Sequence, residues 1–139
     1  MSIQIVKQYS VFLPNVPGAL NKLALLFKDA GINLIGIASE VRDDSGVVRI
    51  AVEGEVDGAA VLTRNGFSAV EKPLLSVEVP DRAGELYELT KTLAEAGVNI
   101  TTVYGTVLSG QACRILIAVN DSKKALKALE RYGVSRSRA

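Results

Sequence analysis

The chain has 139 residues, 48% of them hydrophobic, and its 16 basic and 15 acidic residues nearly cancel. Balanced charge argues against a nucleic-acid or anionic-membrane surface, and no run of about 18 apolar residues is present to span a membrane. With no histidine and a single cysteine, Cys113, the sequence excludes histidine-based catalysis, most zinc sites and an intramolecular disulfide, and a reducing cytoplasm is the expected location.

The first half of the chain predicts strands and helices in the order βαββαβ. Broken alternation of apolar residues is typical of a strand, and apolar residues at i, i+3, i+4 and i+7 indicate a helix. Two apolar runs around the polar turn DDSG predict a hairpin. The predicted segments are a strand at 3–13, a helix at 18–30, a hairpin of 32–42 with 47–56, a weaker helix at 57–64 and a strand at 67–72.

The second half repeats this order. The stretch PNVPGALNKLALLFKDAGINL, residues 14–34, recurs 66 positions later as PDRAGELYELTKTLAEAGVNI, residues 80–100. Aligning the two hairpins places Arg49 and Arg114 at equivalent strand positions, which suggests a repeated ion pair or a dimer contact. The other segments predicted here are a strand at 74–79, a helix at 84–96, a hairpin of 98–108 with 112–119 and a helix at 122–132, followed by a frayed tail.

Each half therefore predicts one ferredoxin-like βαββαβ unit of the α+β class. Right-handed split βαβ crossovers give an antiparallel sheet with both helices on one face. The predicted domains are 1–72 and 73–139, and the junction between them is too short for a flexible linker. Units of this size are marginal alone, so we expect them to pack together.

Several families share this fold, and three of them fit the sequence poorly. RNA recognition uses aromatic residues on the strands, but VVRIAVEG and ACRILIAV contain none. Metal carriers use C-x-x-C in the first loop, which is absent here. Acylphosphatase-like catalysis needs an arginine in that loop, and Arg82 of the second half has Val16 as its counterpart in the first.

The repeated stretches resemble the ACT domain family, small regulatory domains that bind amino acids beside many biosynthetic enzymes. The resemblance covers nearly the whole chain in two copies. It implies a stand-alone tandem-ACT regulatory protein that catalyses nothing, uses no cofactor or metal, and binds a free amino acid or similar small metabolite. It also implies a partner enzyme of amino-acid metabolism, and the exposed sheet edges favour a homodimer.

The resemblance implies that the ligand is held by the first loop of each unit and by the asparagine that opens the second strand, where the two units meet. Helix N-termini offer unpaired amides to a carboxylate, and asparagine or aspartate oxygens accept from an ammonium group. The expected ligand-binding residues are Asn15, Gly18, Ala19, Leu20 and Asn33 in the first unit, and Asp81, Gly84, Glu85, Leu86 and Asn99 in the second.

Some of these residues also have a structural explanation. Asn15 and Asp81 are good helix N-caps, which would give each about 1 kcal/mol of stability without any ligand. The two asparagines would serve equally well in a helix-to-strand turn. Cys113 is expected to be a small core residue on a strand.

Two other functions compete with amino-acid sensing. A structural protein-interaction module that binds no small molecule is favoured by Leu13 and Val79, which stand near the place where some family members have a ligand-binding histidine. An enzyme is disfavoured, because Asp81 with Tyr104 is the one acid–base pairing that the sequence offers. Tyr104 and Glu40, on the second strands, are candidates for selecting a ligand side chain.

Overall fold

The computed structural model describes residues 3–42, 45–54, 56–107, 110 and 112–138. No helix in this part of the chain is both long and apolar enough to cross a membrane. The described residues form six strands and four helices, which confirms the predicted α+β class. In chain order they are β1 (Ile3–Pro14), α1 (Ala19–Asp29), β2 (Leu34–Arg42), β3 (Ser45–Val52), α2 (Gly58–Arg64), β4 (Ala69–Pro80), α3 (Glu85–Glu95), β5 (Ile100–Val107), β6 (Ala112–Val119) and α4 (Ser122–Arg138).

The chain divides into two compact units. The first unit is Val6–Lys72, and the second unit is Pro73–Ala139 together with Met1–Ile5. The division falls inside both β1 and β4, so each of these strands contributes residues to both units. The predicted domains, 1–72 and 73–139, differ from these units in the first five residues. That each domain folds independently stays a prediction.

The first unit has an antiparallel sheet in the order β2, β3, β1. Alternate side chains of β1 and β3 point to one face, and Leu23 and Phe27, one helical turn apart on α1, pack there with Leu62 of α2. Both helices therefore cover the same face. The buried core of the unit consists of Tyr9, Val11, Leu13, Leu23, Phe27, Val48, Ile50, Val52 and Leu62.

The second unit has the same plan, with the antiparallel order β5, β6, β4. Leu89 and Leu93 of α3 and Leu129 of α4 cover one face of this sheet. Ile3, at the start of β1, packs against the same core. The buried core consists of Leu75, Val77, Val79, Leu89, Leu93, Val98, Ile117, Ala125 and Leu129.

Two elements are longer than the sequence predicts. The strands predicted at 67–72 and 74–79 form one strand, β4, that continues through Pro73, because the φ of proline suits extended backbone. Helix α4 continues through Gly133 to Arg138, where a tail was predicted. No strand follows α4 in the described part of the chain, and residues of β1 belong to the second unit instead.

The strand registers correct the alignment of Arg49 with Arg114. Arg49 lies opposite Ser10 and Ala38, whereas Arg114 lies opposite Glu78 and Thr106. The length of each hairpin decides which residue of its second strand lies opposite β1 or β4. The interval between β5 and β6 is longer than that between β2 and β3, which shifts β6 along the chain relative to β3. Arg114 therefore corresponds to Val47, and Arg49 and Arg114 are not equivalent, so the repeat gives no reason to expect the same ion pair or dimer contact at both.

Candidate functional site

The loops 14–18 and 80–84 lead into the first helix of each unit, and both end at a glycine. Gly18 (φ 86°) and Gly84 (φ 93°) are the N-cap residues, and both are in the left-handed region that glycine adopts without strain. Within the described residues, apart from the glycine and its two chain neighbours, no heavy atom lies within 4 Å of the position that a Cβ would occupy at either glycine. The backbone conformation thus requires glycine, and the surface in front of it is open.

The N-cap positions overturn one structural explanation given above. Asn15 and Asp81 precede the caps by three residues, and the N-cap residue of both α1 and α3 is a glycine, which has no side chain to form a cap hydrogen bond. The expectation that Asn15 and Asp81 are the N-cap residues is therefore wrong. The reason is that the chain makes a further turn between each side chain and the helix start, in which the amides of Val16 and Arg82 donate to the carbonyls of Pro14 and Pro80 at 3.0 Å.

The two helix starts use their first amides in the same way. The amide of Ala19 donates to the carbonyl of Val16 (3.3 Å), and that of Glu85 donates to the carbonyl of Arg82 (3.4 Å). The series of intrahelical bonds in α1 begins with the amide of Lys22, which donates to Gly18 at 2.9 Å. The amides of Leu20 and Asn21 precede that bond, as expected for the first turn of a helix.

The units differ in the charge next to these amides. The first turn of α3 contains Glu85 and Glu88, whereas the first turn of α1 contains no acidic residue. The carboxylate of Glu85 is buried (5% exposed) and accepts a hydrogen bond from Nε of Arg82 at 2.6 Å. A carboxylate thus already lies at the positive end of α3, where an anionic ligand group would be stabilised. The corresponding residue of α1 is Ala19.

Cys113 lies on β6 beside this second loop. It is half-buried and packs against the core of the second unit, as expected of a small core residue. Burial raises the pKa of the Cys113 thiol, and the carboxylates of Asp81 and Glu85 raise it further. The thiol is therefore held in its unreactive, protonated form.

Asn33 and Asn99 lie far from the loops of their own units. Each comes directly before the second strand, after a helix of 11 residues, which is about 16 Å long. Both residues are exposed. The backbone amide of Asn99 donates to Oδ1 of Asn120 (3.0 Å), and the amide of Asn120 donates back to the carbonyl of Asn99 (3.1 Å). Within one unit, a small ligand therefore reaches the loop or the asparagine, but not both.

The first unit has an open depression of about 620 Å³ at the ends of β1, β2 and β3. None of the ten predicted ligand-binding residues lines it, but it begins at Pro14, one residue before Asn15. Glu40, predicted as a selector of ligand side chains, is part of its wall. The lining residues are Phe12, Leu13, Pro14, Glu40, Ser45, Gly46 and Val47.

Sequence reasoning missed Phe12 and Val47 because it did not give the strand register. Phe12 pairs with Val47, which pairs in turn with Glu40, so the three residues form one row across the sheet. Leu13 and Val48 belong to the core, and alternation therefore turns this row to the face away from the helices. Phe12 is 52% exposed, an unusual state for a large aromatic side chain, and this exposure marks the depression.

Open main-chain amides, polar side chains and an apolar depression with one carboxylate are groups that hold a small molecule. Within the described residues, no three histidine, cysteine, aspartate or glutamate side chains come together as a metal site. The described residues thus form two ferredoxin-like units whose loops and sheets offer groups of this kind.

Comparison with known proteins identifies the family. The family described as the ACT domain pair matches residues 4–132, and the chain therefore belongs to it. The resemblance recognised in the sequence is confirmed, and so are the two tandem ferredoxin-like ACT units. No curated protein matches the chain.

Solved structures show the same fold at low sequence identity. A protein of Bacteroides thetaiotaomicron has a TM-score of 0.85 at 22% identity, over 94% of this chain and 90% of that one. The ligand-free regulatory subunit of aspartate kinase from Thermus thermophilus has a TM-score of 0.69 at 16% identity, over 94% of each chain. A structure of aspartokinase alpha and beta subunits has a TM-score of 0.65 at 20% identity, over 94% of this chain and 96% of that one.

Proposed function

We propose that this protein is a non-catalytic regulatory protein that binds a free amino acid or a similar small metabolite. The observation that carries the proposal is the open start of α1, with Gly18 in the left-handed region, in a chain of the ACT domain pair family. The likeness to a regulatory subunit of aspartate kinase supports a regulatory rather than a catalytic role.

In this proposal the first unit holds the ligand at loop 14–18. The ligand carboxylate accepts hydrogen bonds from the amides of Leu20 and Asn21, which precede the intrahelical bonds and lie at the positive end of α1. Asn15 is the nearest predicted acceptor for the ligand ammonium group. The second unit is the weaker site, because the Glu85 carboxylate and Arg82 already occupy the start of α3.

The other parts of the predicted site stay proposals. Asn33, Asn99 and Asp81 are proposed to contact a ligand, and a location of the ligand at the junction of the units stays a prediction. We also propose a cytoplasmic homodimer that acts on a partner enzyme of amino-acid metabolism. Binding changes such a partner only if the ligand has different affinities for two arrangements of the protein.

A thermal-shift assay with the twenty amino acids at millimolar concentration tests the proposal. A ligand at 100 times its dissociation constant adds about 2.7 kcal/mol to the stability of the folded state. This should raise the melting temperature by several degrees for a chain of this size. If no amino acid shifts the melting temperature, the proposal fails and the alternative, an interaction module without a small ligand, replaces it.

Two matched variants locate the site. Ala19→Glu introduces at α1 the acidic residue that α3 has at Glu85, and it should abolish the shift by repelling the ligand carboxylate. Glu85→Ala is the control at the corresponding position, and it should leave the shift caused by binding to the first unit unchanged. An equal loss of binding in both variants would contradict the assignment to the first unit.

A further inference from the structure

We infer that helix α4 docks an acidic helix of a partner protein through a basic stripe, which consists of Lys123, Lys127 and Arg131. The inference goes beyond the proposed function: it identifies a surface that meets a partner, and it holds whether or not an amino acid binds at α1. It comes from three exposed cations that recur every fourth residue along one helix.

The charges of the chain are distributed unevenly. The residues of α4 include six basic residues and one acidic residue, whereas the rest of the chain has ten basic and fourteen acidic residues. The near-neutral total therefore conceals a positive helix on a negative protein. Helix α2, at the equivalent place in the first unit, has Arg64 as its one charged residue. The fold therefore does not require a basic helix at this place.

The basic stripe lies on the solvent side of α4. Its three members are exposed, whereas Ala125 and Leu129 on the other side of the helix are fully buried. Residues four apart are neighbours on one face of a helix, and they lie about 6 Å apart along its axis. The stripe therefore presents three cations along about 12 Å of helix.

The neighbouring Lys124 has a separate explanation. Its Nζ atom lies 3.2 Å from the position that a Cβ would occupy at Gly97, directly after the C-terminal end of α3. The negative end of a helix stabilises a cation. Lys124 therefore stabilises the second unit itself and is not part of the stripe.

The stripe works against the stability of α4. Like charges four residues apart on a helix repel each other. Lys123 also lies in the first turn, at the positive end of the helix, where a cation is unfavourable. Among the described residues, no carboxylate forms an ion pair with the three cations. A feature that costs stability and that the fold does not require indicates a role in binding.

Three kinds of anionic partner differ in how well they fit. A membrane surface also binds an apolar helix face, but the apolar residues of α4 belong to the core of the second unit. A nucleic acid is repelled by the exposed Glu130, next to Arg131, and by the negative remainder of the chain. A protein can place carboxylates opposite the stripe and a basic residue opposite Glu130. An acidic helix with a carboxylate at every fourth residue has the same spacing of about 6 Å and is therefore the partner that fits.

Fluorescence anisotropy of the full chain with two labelled peptides tests the inference. Both peptides are stapled, alanine-based helices with three glutamates, which recur every fourth residue in the matched peptide and lie on three different sides of the scattered peptide. We expect the matched peptide to bind about tenfold more tightly at low ionic strength, which is the combined worth of three exposed ion pairs. The stripe variant, Lys123→Gln/Lys127→Gln/Arg131→Gln, should reduce this preference to less than about twofold.

The control is Lys22→Gln/Lys28→Gln/Lys91→Gln, which removes the same charge from exposed residues of α1 and α3. It should retain the tenfold preference. Equal affinity for the two peptides, or a preference that survives in the stripe variant, overturns the inference. Tighter binding of a DNA duplex than of the matched peptide also overturns it, in favour of a nucleic-acid partner.

Thermal unfolding separates binding from a structural role of the stripe. Glutamine has about the same helix propensity as lysine and arginine, so these substitutions test the charge. Because the cations repel one another, the stripe variant should melt about 1–3 °C above the parent protein. A melting temperature several degrees below that of the parent would show that the stripe serves folding, which overturns the inference. Each of these failures leaves the proposed function standing, since the thermal shift with amino acids tests it separately.

Discussion

At the start of its first helix the first unit has Ala19 in front of open amides, whereas the second unit has the buried carboxylate of Glu85 bonded to Arg82. The same contrast recurs on the sheets, where an open depression beside Glu40 in one unit corresponds to the Glu78–Arg114 ion pair in the other. In the second unit, charged side chains of the protein itself lie at both places. We propose that the first unit leaves the start of α1 to a ligand.

The cores show a second contrast, which concerns stability rather than binding. Tyr9 of β1 pairs with Ile50, and Leu75 of β4 pairs with Ile117 at the equivalent place. The larger Tyr9 lies against Gly58, the first residue of α2, whereas the first residue of α4 is Ser122. The tyrosine and glycine of the first unit thus correspond to a smaller leucine and a serine in the second.

The largest expected effect comes from emptying each core in turn. Phe27→Ala and Leu93→Ala truncate fully buried side chains at equivalent helix positions and should each cost about 3–5 kcal/mol of unfolding free energy. Urea denaturation measures the loss. If the units fold independently, hydrogen exchange should accelerate mainly in the unit that carries the substitution.

The exposed Leu25 provides the control for this pair, and Leu25→Ala should cost no more than about 0.5 kcal/mol. Uniform acceleration of exchange over both units, in either core variant, would mean that the chain unfolds as one cooperative body. In that case the predicted domains, 1–72 and 73–139, would be wrong as folding units.

The next effect separates Gly58 from Ser122. A Cβ at Gly58 would lie 2.6 Å from Cε2 and 2.8 Å from Cζ of Tyr9, whose ring is fully buried. Gly58→Ala should therefore cost about 2–3 kcal/mol through overpacking. Ser122→Ala, at the first residue of the other helix, should cost less than about 0.5 kcal/mol.

A second substitution shows whether the ring is the cause. Tyr9→Leu copies the residue of the second unit and removes the atoms that the new Cβ would meet. Thermal unfolding of the double variant should therefore give a smaller loss than the sum of the two single losses. Additive losses would show that Gly58→Ala acts through something other than Tyr9.

Periodicity and the internal repeat were sufficient to predict the fold class, the four helices and the two hairpins, because these depend on local patterns that the sequence displays. They were not sufficient for the register of β3 and β6, which depends on how many residues each hairpin contains. A two-residue error in aligning the hairpins gave Arg49 the wrong counterpart, and the row of Phe12, Val47 and Glu40 could not be predicted without the strand register. Likewise, Glu85 was predicted to donate its backbone amide to a ligand. The sequence did not predict the buried contact of its carboxylate with Arg82, because that contact depends on the loop conformation.

The pH dependence of the unfolding free energy should distinguish Tyr9 from its counterpart in the second unit, Leu75, which does not titrate. Burial raises the pKa of Tyr9 to about 12, and the neighbouring Glu71 carboxylate contributes, while the amides of Gly58 and Ala59 act in the opposite direction. In the unfolded chain a tyrosine loses its proton near pH 10.

The raised pKa means that the folded state keeps a proton that the unfolded state releases, so stability is retained below pH 10 and falls as the pH rises toward 12. Between pH 9 and 11.5 the loss due to Tyr9 should be about 1–2 kcal/mol. Denaturation over this range should show a flatter profile for Tyr9→Phe than for the parent protein. The exposed Tyr87 is the control, and a Tyr87→Phe profile that flattens equally would disprove the assignment to Tyr9.

The smallest effect concerns the two rows on the sheet faces. Glu78→Gln removes the carboxylate next to the buried Arg114 and should cost about 1 kcal/mol, a modest value because the Glu78 side chain is 37% exposed and the contact is 3.7 Å long. Salt at 1 M should shrink this difference by screening. Glu40→Gln, in the equivalent row of the first unit, should change the free energy of unfolding by less than about 0.5 kcal/mol, because Glu40 is exposed and lies opposite Val47 rather than opposite a buried arginine. Urea denaturation of both variants would contradict this ranking if Glu40→Gln proved the more damaging of the two.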